Sequence, residues 1–313
     1  MKNSAIILNR KSGELILFVE PRGLVGQGCR ALDPETAVRI RPGLLKKLVI
    51  VSSKDKAGMN IKEALVRKFD FEETSERFDG YPIFKRGAYE IITSSKDIIF
   101  SDHINKEADL YVFASRHSST ERIPCLTAHA TGNFSASNEY GGRGKELSLI
   151  NPYYLKRALQ LLRKFAEELG VSYKISQEVT HHGPTSYKVP SFFIEIGSSE
   201  EEWTNPTAAE VIAKTIMNLD TENFLNFISA VGFGGPHYAP KFTKLSLETN
   251  YAIGHICSKY AVDDLDRSTF RQMLEKTIPK PEVALIDWKG LRKDSREKVI
   301  KLLSEVGLKY ERV

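Results

Sequence analysis

Leu48-Val49-Ile50-Val51 is a short continuous apolar run at the start of a long stretch in which strand-like and helix-like patterns alternate. Such a run, bounded by polar residues, is typical of a strand buried on both faces of a parallel sheet. Residues 59–69 follow it with the apolar spacing of a helix. The order of strand and then helix predicts the first unit of an α/β fold.

The same alternation continues toward the C-terminus. Asn151-Pro152 and Asn205-Pro206 each place an N-cap residue before a proline at the first helical position, so each begins a predicted helix. Later helices are predicted over residues 265–278 and from Asp294-Ser295 to residue 306. Further strands are predicted over residues 89–93, 110–114, 171–179, 191–196, 229–232, 251–256 and 283–286. We therefore expect a three-layer α/β/α protein with a mixed, largely parallel sheet.

The first 46 residues have a different pattern. Residues 5–8 and 15–19, separated by Arg10-Lys11-Ser12-Gly13, indicate a β-hairpin, and the segment after Pro21 is rich in glycine and arginine. We divide the chain into an N-terminal extension, residues 1–46, and a main domain, residues 47–313. Three interpretations of the extension stay open: a small appended element, a mobile arm, or sequence from a start codon placed too far upstream.

Composition and charge exclude several classes of protein. Lysine and arginine exceed aspartate and glutamate by five (45 minus 40), a mild excess that is compatible with a polyanionic partner but not specific for one. No apolar run approaches the roughly 18 residues of a membrane span, and the start lacks a secretory signal. Cys29, Cys125 and Cys257 form no CxxC pair, which argues against a disulfide framework and against a cysteine-built zinc site. We expect a cytoplasmic protein that is not bound to membranes.

Six of the seven histidines lie in short segments rich in glycine, serine or proline, outside any amphipathic period. They are His117, His129, His181, His182, His237 and His255. Loops that follow strands often carry functional groups on a rigid scaffold. Imidazole titrates near neutrality and ligates metals. The pattern predicts an enzyme whose histidine-rich site is built from separate loops.

Taken together and in order, these segments resemble the archaeal and plant type of D-aminoacyl-tRNA deacylase. The resemblance runs from about Leu48 to the C-terminus. It rests on the following blocks: Ala114-Ser115-Arg116-His117-Ser118-Ser119, Thr127-Ala128-His129-Ala130-Thr131-Gly132-Asn133, Thr180-His181-His182-Gly183-Pro184-Thr185, Val189-Pro190-Ser191-Phe192-Phe193-Ile194-Glu195-Ile196-Gly197-Ser198, Gly234-Gly235-Pro236-His237-Tyr238-Ala239-Pro240-Lys241, Gly254-His255, Lys259-Tyr260 and Asp287-Trp288-Lys289-Gly290.

The resemblance implies hydrolysis of the ester that joins a D-amino acid to the terminal ribose of tRNA. It also implies a fold related to peptidyl-tRNA hydrolases and nucleoside phosphorylases, and an association with zinc. The chain departs from the family in two places. The stretch formed by residues 134–145 is longer than we expect in this family, and residues 1–46 have no counterpart in it.

His181 and His182 lie at the end of a predicted strand, directly before Gly183-Pro184. Ligands of parallel sheets bind beyond the carboxyl ends of the strands. Because adjacent side chains of a strand point to opposite faces, we expect one imidazole in the site and the other behind it. We assign His182 to catalysis and His181 to metal binding; the alternative is that both only close a turn.

Glu195 lies inside the apolar run Phe192-Phe193-Ile194-Glu195-Ile196. A carboxylate buried there is costly unless it is paired or binds a metal. In an alternating strand it shares a face with Phe193. We predict a catalytic role, in which Glu195 orients a histidine, binds a metal or acts as a base. A salt bridge or a position at a solvent-facing edge is the alternative.

His117 and His129 follow neighbouring strand candidates, and we predict that both are catalytic, with turn-stabilising hydrogen bonds as the alternative. Three further residues are predicted to bind substrate. Arg116 is expected to contact a phosphate or the substrate carbonyl, unless it is an ordinary surface charge. Gly132 and Asn133 are expected to offer exposed backbone N–H groups to a phosphate or an oxyanion.

The last two histidine segments supply the remaining candidates. Gly234 and Gly235 permit close approach of the backbone to a ligand and are predicted to bind substrate. His237 follows them and is a candidate metal ligand. His255 is a further candidate ligand, although its strand-like surroundings fit a core histidine almost as well.

The leading hypothesis is a deacylase that releases D-amino acids from tRNA by attack of water on the ester carbonyl. Zinc, held by histidine and carboxylate, is the expected cofactor; a metal-free site stays open. Alternative activities are hydrolysis of peptidyl-tRNA or of an N-glycosidic bond, and a non-catalytic tRNA- or nucleotide-binding protein is the alternative of another class. We expect a monomer without an obligate protein partner.

Overall fold

The computed structural model describes residues 5–9, 14–18, 39–40, 45–220, 224 and 226–313. The chain divides into two compact units, Met1–Leu45 and Lys46–Val313. In the first unit, an antiparallel sheet has its middle strand β2 paired with both others; its strands are β1 (Ala5–Asn9), β2 (Glu14–Phe18) and β3 (Arg39–Ile40). The pair β1–β2 occurs where the sequence indicates a hairpin. Most of the glycine- and arginine-rich segment lies outside the described residues.

The second unit contains an eight-stranded mixed sheet. Its strands are β4 (Lys47–Ser52), β5 (Glu72–Phe78), β6 (Tyr81–Arg86), β7 (Tyr89–Ser94), β8 (Leu110–Ser118), β9 (Cys125–His129), β10 (Lys174–Gln177) and β11 (Ser191–Ser198). Their order is β10-β9-β11-β8-β4-β7-β6-β5. The central strands β11, β8, β4 and β7 are parallel, as the apolar run at Leu48 predicts, whereas β9 is antiparallel to β11.

A second sheet of this unit has four parallel strands. They are β12 (Ile228–Phe233), β13 (Tyr251–Cys257), β14 (Val283–Ile286) and β15 (Tyr310–Arg312), in the order β13-β12-β14-β15. The predicted strands are therefore confirmed, but they belong to two sheets. Alternation predicts that strands occur; it does not say which strands pair.

Seven helices are described. They are α1 (Lys56–Lys68), α2 (Pro152–Glu168), α3 (Glu200–Trp203), α4 (Pro206–Met217), α5 (Pro240–Glu248), α6 (Arg267–Glu275) and α7 (Lys293–Val306). Asn151 and Asn205 accept hydrogen bonds from the first turns of α2 and α4, so the predicted helix starts are confirmed. The start of α7 differs, because Arg292 is its N-cap and Asp294 lies in the first turn, where a negative charge favours the helix dipole.

Helices and sheets form three layers. In the four-stranded sheet, Val231 and Phe233 pack with residues of α6 and α7, whereas Ala230 faces Phe242 of α5. One face of the larger sheet contacts α1 and α4. The predicted α/β/α class is confirmed. None of the described helices is long and apolar enough to cross a membrane.

Candidate active site

Five histidines and two buried glutamates meet where segments from both sheets converge. This histidine cluster comprises His117 from β8, His129 at the end of β9, Glu178, His181 and His182 after β10, Glu195 from β11, and His237 after β12. Backbone hydrogen bonds join the two sheets there, because Val179 N–H donates to the carbonyl of His237 and Thr180 N–H donates to that of Ile256. The cluster is thus held by elements from two sheets.

The sheet register fixes Glu195 in the cluster. Glu195 lies opposite Ser115 of β8 and Thr127 of β9, and both hydroxyls donate to its carboxylate, at 2.7 and 3.2 Å. Its Oε2 lies 3.6 Å from His117 Nδ1 and 3.7 Å from His129 Nε2. Burial alone would raise the pKa of Glu195, but these imidazoles hold it well below its ordinary value. Glu195 is an anion that orients two histidines.

Glu178 is a candidate site residue that the sequence analysis missed. Its Oε1 lies 3.0 Å from His117 Nδ1, and its Oε2 lies 3.1 Å from His237 Nε2 and 3.5 Å from His181 Nε2. Burial would raise the pKa of Glu178, but the contacts with His237 and His117 lower it. Both oxygens are buried and accept no hydrogen bond of good geometry from the described residues. The only signal in the sequence is its position shortly before the His181-His182 pair.

Three histidines present Nε2 to the cluster. Each donates Nδ1–H to a backbone carbonyl: His129 to Ala130 at 3.1 Å, His181 to Val179 at 2.7 Å and His182 to Gly183 at 2.6 Å. Because a carbonyl only accepts, Nδ1 carries the proton and Nε2 of the neutral ring is left with a lone pair. Metal-binding histidines usually donate their other ring N–H to a backbone carbonyl or a carboxylate in this way. Nε2 of His129 is buried and has no hydrogen-bond partner among the described residues.

The protonation of these rings follows from burial and from their neighbours. Burial and the nearby imidazoles lower the pKa of His181 well below its ordinary value, and burial with His129 lowers that of His182 to about 4. Both rings are therefore neutral near pH 7. Burial would also lower the pKa of His129, but Glu195 outweighs it and raises the pKa.

His117 has the environment of a proton-transfer group. Its Nδ1 faces Glu178, and its Nε2 lies 2.9 Å from the hydroxyl of Tyr238. Burial would lower the pKa of His117, but Glu195 and Glu178 outweigh it and raise the pKa to about 8. A group with a pKa near the working pH can both give and take a proton.

The ligand atoms lie close enough together to hold a metal ion. Three sets have all their ligand atoms within 4.8 Å of one another: His129, His181 and His182; His117, Glu178 and His237; and His129, Glu178 and Glu195. Nitrogen and oxygen ligands of this kind suit zinc. Burial raises the pKa of Cys125 to about 12, so this thiol offers no thiolate near pH 7.

The structure corrects the expected geometry of His181 and His182. Strand β10 ends at Gln177, before either histidine, and His182 has a positive φ of 41°. The alternation of a strand therefore does not apply, and both rings contact His129, with ring centres at 4.2 and 4.8 Å. His117 and His129 themselves lie in strands rather than in loops.

His255 does not join the cluster. It is fully buried in β13, where its Nδ1 accepts from the Thr180 hydroxyl at 3.2 Å and its Nε2 donates to the carbonyl of Ser148 at 3.0 Å. Burial lowers its pKa to about 3. Both ring nitrogens are engaged, so the surroundings of His255 fit a core histidine, the alternative that the sequence left open, better than a metal ligand.

Arg116 is directed away from the cluster. Because His117 points into the cluster, its neighbour on β8 points to the opposite face of the sheet. There the guanidinium lies 3.6 Å from Asp97 and 3.8 Å from Asp55, with its centre 5.8 Å from the ring of Trp203. Arg116 therefore contacts two aspartates and a tryptophan on the face of the sheet opposite the histidine cluster.

Gly132 and Asn133 do not present free N–H groups. Gly132 N–H donates to the carbonyl of His182 at 2.8 Å, and Asn133 N–H donates to that of Glu146 at 2.8 Å. A Cβ on Gly132 would lie 2.5 Å from the side chain of Leu147. The predicted oxyanion role is therefore corrected, because these residues pack and brace the loop that carries His182.

The glycines before His237 are also engaged by the backbone. Gly234 N–H donates to the carbonyl of Cys257 at 2.8 Å, and the carbonyl of Gly235 accepts from Lys259 N–H at 3.0 Å. A Cβ on Gly234 would lie 2.9 Å from Leu291. Gly234 therefore serves close packing, and both glycines fix the path of the chain toward His237.

Comparison with known proteins gives a consistent result. A family model described as D-aminoacyl-tRNA deacylase matches residues 104–311. The D-aminoacyl-tRNA deacylase of Pyrococcus horikoshii is 41% identical over 276 residues, which cover 84% of this chain and 98% of that protein. The D-aminoacyl-tRNA deacylase of Methanocaldococcus jannaschii is 36% identical over 280 residues, which cover 86% of this chain and 100% of that protein.

A crystal structure of a conserved protein of unknown function has the same fold. It is 31% identical in sequence, its TM-score is 0.78, and the match covers 86% of this chain and 95% of that one. The family match, the near-complete coverage of the curated relatives and the shared fold lead to one conclusion: this chain belongs to the D-aminoacyl-tRNA deacylase family.

Proposed function

We propose that this protein hydrolyses the ester bond between a D-amino acid and the terminal ribose of tRNA. In the reaction a water oxygen bonds to the carbonyl carbon, the bond to the ribose oxygen breaks, and that oxygen takes up a proton. The products are free D-amino acid and tRNA. The observation that carries the proposal is the histidine cluster, which combines neutral imidazoles, a proton-transfer histidine and two buried carboxylates in a member of this family.

The donor set of the cluster fits zinc. The orphaned Nε2 of His129 and the two unsatisfied oxygens of Glu178 are buried polar atoms that a cation would satisfy. We propose that His129, His181 and His182 hold zinc, with His237 and the two glutamates as further candidates. When bound, zinc polarises an ester carbonyl and lowers the pKa of water.

The residues of the chain supply orientation and proton transfer. Glu178 and Glu195 fix the ring of His117 through its Nδ1. We propose that Nε2 of His117 donates the proton that the departing ribose oxygen takes up. This nitrogen faces the hydroxyl of Tyr238. We propose that the protein acts in the cytoplasm, as a monomer without an obligate protein partner.

The test compares D-tyrosyl-tRNA with L-tyrosyl-tRNA. We expect release of D-tyrosine and retention of the L ester, with a lower rate after chelation and dialysis and recovery when zinc is returned. Protein that binds D-tyrosyl-tRNA without cleaving it would be a binding protein instead. If protein proven free of metal cleaves D-tyrosyl-tRNA at the full rate, zinc has no role in the reaction. The histidines would then carry out the acid–base catalysis alone.

A further inference from the structure

Tyr140 and Tyr260 are the most exposed large apolar side chains among the described residues, with 64% and 70% of their surface exposed. An exposed tyrosine alone is ordinary. These two differ from the rest because each lies on a segment whose backbone is bonded to a segment of the histidine cluster.

Tyr140 is tied to the segment of His182. Its carbonyl accepts from Gly183 N–H at 3.0 Å, and Gly183 directly follows His182 in the chain. The two segments approach so closely that a Cβ on Gly142 would lie 3.1 Å from the Cα of Gly183. The backbone of Tyr140 therefore has a fixed place beside His182.

Tyr260 is tied in the same way to the segment of His237. Its neighbour Lys259 donates its backbone N–H to the carbonyl of Gly235, two residues before His237. The ammonium group of Lys259 lies 4.8 Å from the centre of the Tyr260 ring. This segment thus combines an exposed aromatic ring with a positive charge.

The two tyrosines border one site. The ring of His181 lies 4.4 Å from that of His182 and 4.6 Å from that of His237, so the segments to which Tyr140 and Lys259 are bonded meet within the cluster. Arg143, three residues after Tyr140, adds a second positive charge, with 72% of its side chain exposed. Exposed rings beside positive charges are the means by which proteins bind single-stranded nucleic acid, with bases stacked on the rings.

We propose that Tyr140 and Tyr260 stack on unpaired bases at the 3′ end of tRNA, and that Arg143 and Lys259 contact its phosphates. The inference rests on the proposed function, because that end carries the ester that must reach the cluster. Stacking tolerates any base, since every base has a π face. These tyrosines would therefore bind the substrate without taking part in the chemistry.

The kinetic test uses Tyr140→Ala and Tyr260→Ala in the full chain, with Tyr140→Phe and Tyr260→Phe as matched controls that keep the ring. Each alanine variant should raise KM for D-tyrosyl-tRNA roughly 5- to 100-fold, the loss that corresponds to one stacked base. The kcat should change less than about twofold, and the phenylalanine variants should resemble the wild type. An unchanged KM, or a loss confined to kcat, overturns the inference.

A binding test separates this inference from the proposed function. The probe is a fluorescein-labelled single-stranded oligoribonucleotide with the 3′-terminal sequence of tRNA, and its fluorescence anisotropy reports Kd without any hydrolysis. Weaker binding by the alanine variants, but not by the phenylalanine variants, supports the inference even if D-tyrosyl-tRNA is not cleaved. Equal Kd values in an enzyme that does cleave D-tyrosyl-tRNA overturn the inference and leave the proposed function intact.

Discussion

A carboxylate inside a protein needs positive charge or a cation nearby, and Glu178 has three imidazoles within 3.5 Å. It contacts residues that come from three different strand ends. The sequence could not reveal this role, because a glutamate near a strand end is common and two of its partners, His117 and His237, are distant in the chain. Glu195, in contrast, could be predicted as a site residue, because a carboxylate inside an apolar run is costly unless it is paired or binds a metal.

Glu178→Gln tests the charge of this residue. The amide keeps the shape but neither stabilises an imidazolium nor serves as an anionic ligand, so we expect kcat/KM for D-tyrosyl-tRNA to fall at least about 100-fold. Steady-state kinetics and circular dichroism would show lost activity in a folded protein. The exposed Glu248→Gln is the matched control and should behave as wild type. A Glu178→Gln variant within about tenfold of wild type would show that the charge is dispensable.

His182→Ala should nearly abolish deacylation without unfolding the protein, because it removes a neutral imidazole whose Nε2 faces the cluster. The comparison is His255→Ala, which should act on stability instead. It deletes both hydrogen bonds of a buried ring and should lower the free energy of unfolding by about 2–4 kcal/mol. Kinetics and urea unfolding of both variants separate the effects. Equal loss of activity from folded forms of both would contradict this assignment.

At the scale of elements, α2 carries a buried lysine that serves another helix. Lys156 is 1% exposed, and its ammonium group donates to the carbonyls of Ser246 and Thr249 at the C-terminal end of α5. These carbonyls have no partner within their own helix, and a positive charge suits this end of the helix dipole. Burial still lowers the pKa of Lys156 to about 8.

This pKa makes stability depend on pH. A lysine in an unfolded chain has a pKa of about 10.4. Between about pH 8 and pH 10.4, Lys156 is therefore protonated to a greater extent in the unfolded chain than in the folded one. This lysine therefore penalises folding fully below about pH 8, and the penalty is relieved as pH rises through that window. Urea unfolding of wild type and Lys156→Met at pH 7 and pH 10 should show wild type gaining stability relative to the variant. A difference independent of pH would contradict the assigned pKa.

Prediction from sequence worked best where a local signal exists. The Asn-Pro starts of α2 and α4 were readable because capping is local. The start of α5 could not be predicted from the sequence, because its N-cap residue, Ala239, is in a left-handed conformation and makes no side-chain cap. The sequence predicted His129 as a site residue but not the antiparallel pairing of β9 with β11 that brings it to Glu195, because the two strands are distant in sequence.

At the scale of the whole molecule, the candidate active site lies entirely in the unit that begins at Lys46. The first residue of that unit is already anchored, because Lys46 N–H donates to the carboxylate of Asp109 at 2.8 Å and its carbonyl accepts from Asp109 N–H at 2.8 Å. The residues matched by the family, 104–311, fall in the same unit. All residues of the histidine cluster are thus supplied by the unit that begins at Lys46.

A chain that begins at Lys46 should therefore fold and deacylate. We expect a kcat/KM within about twofold of the full-length value and a single cooperative melting transition, measured side by side on the two proteins. An insoluble or inactive shortened protein would show that the N-terminal unit belongs to the working enzyme.

The segment from Glu178 to His182 is hydrogen-bonded to the four-stranded sheet, and that sheet also supplies His237 to the cluster. The other histidines of the cluster and Glu195 come from the larger sheet or from the segment that follows its strand β10. A nascent chain whose C-terminal strands have not yet emerged from the ribosome would therefore lack His237 and the carbonyls that accept from Val179 and Thr180, so its histidine cluster would be incomplete.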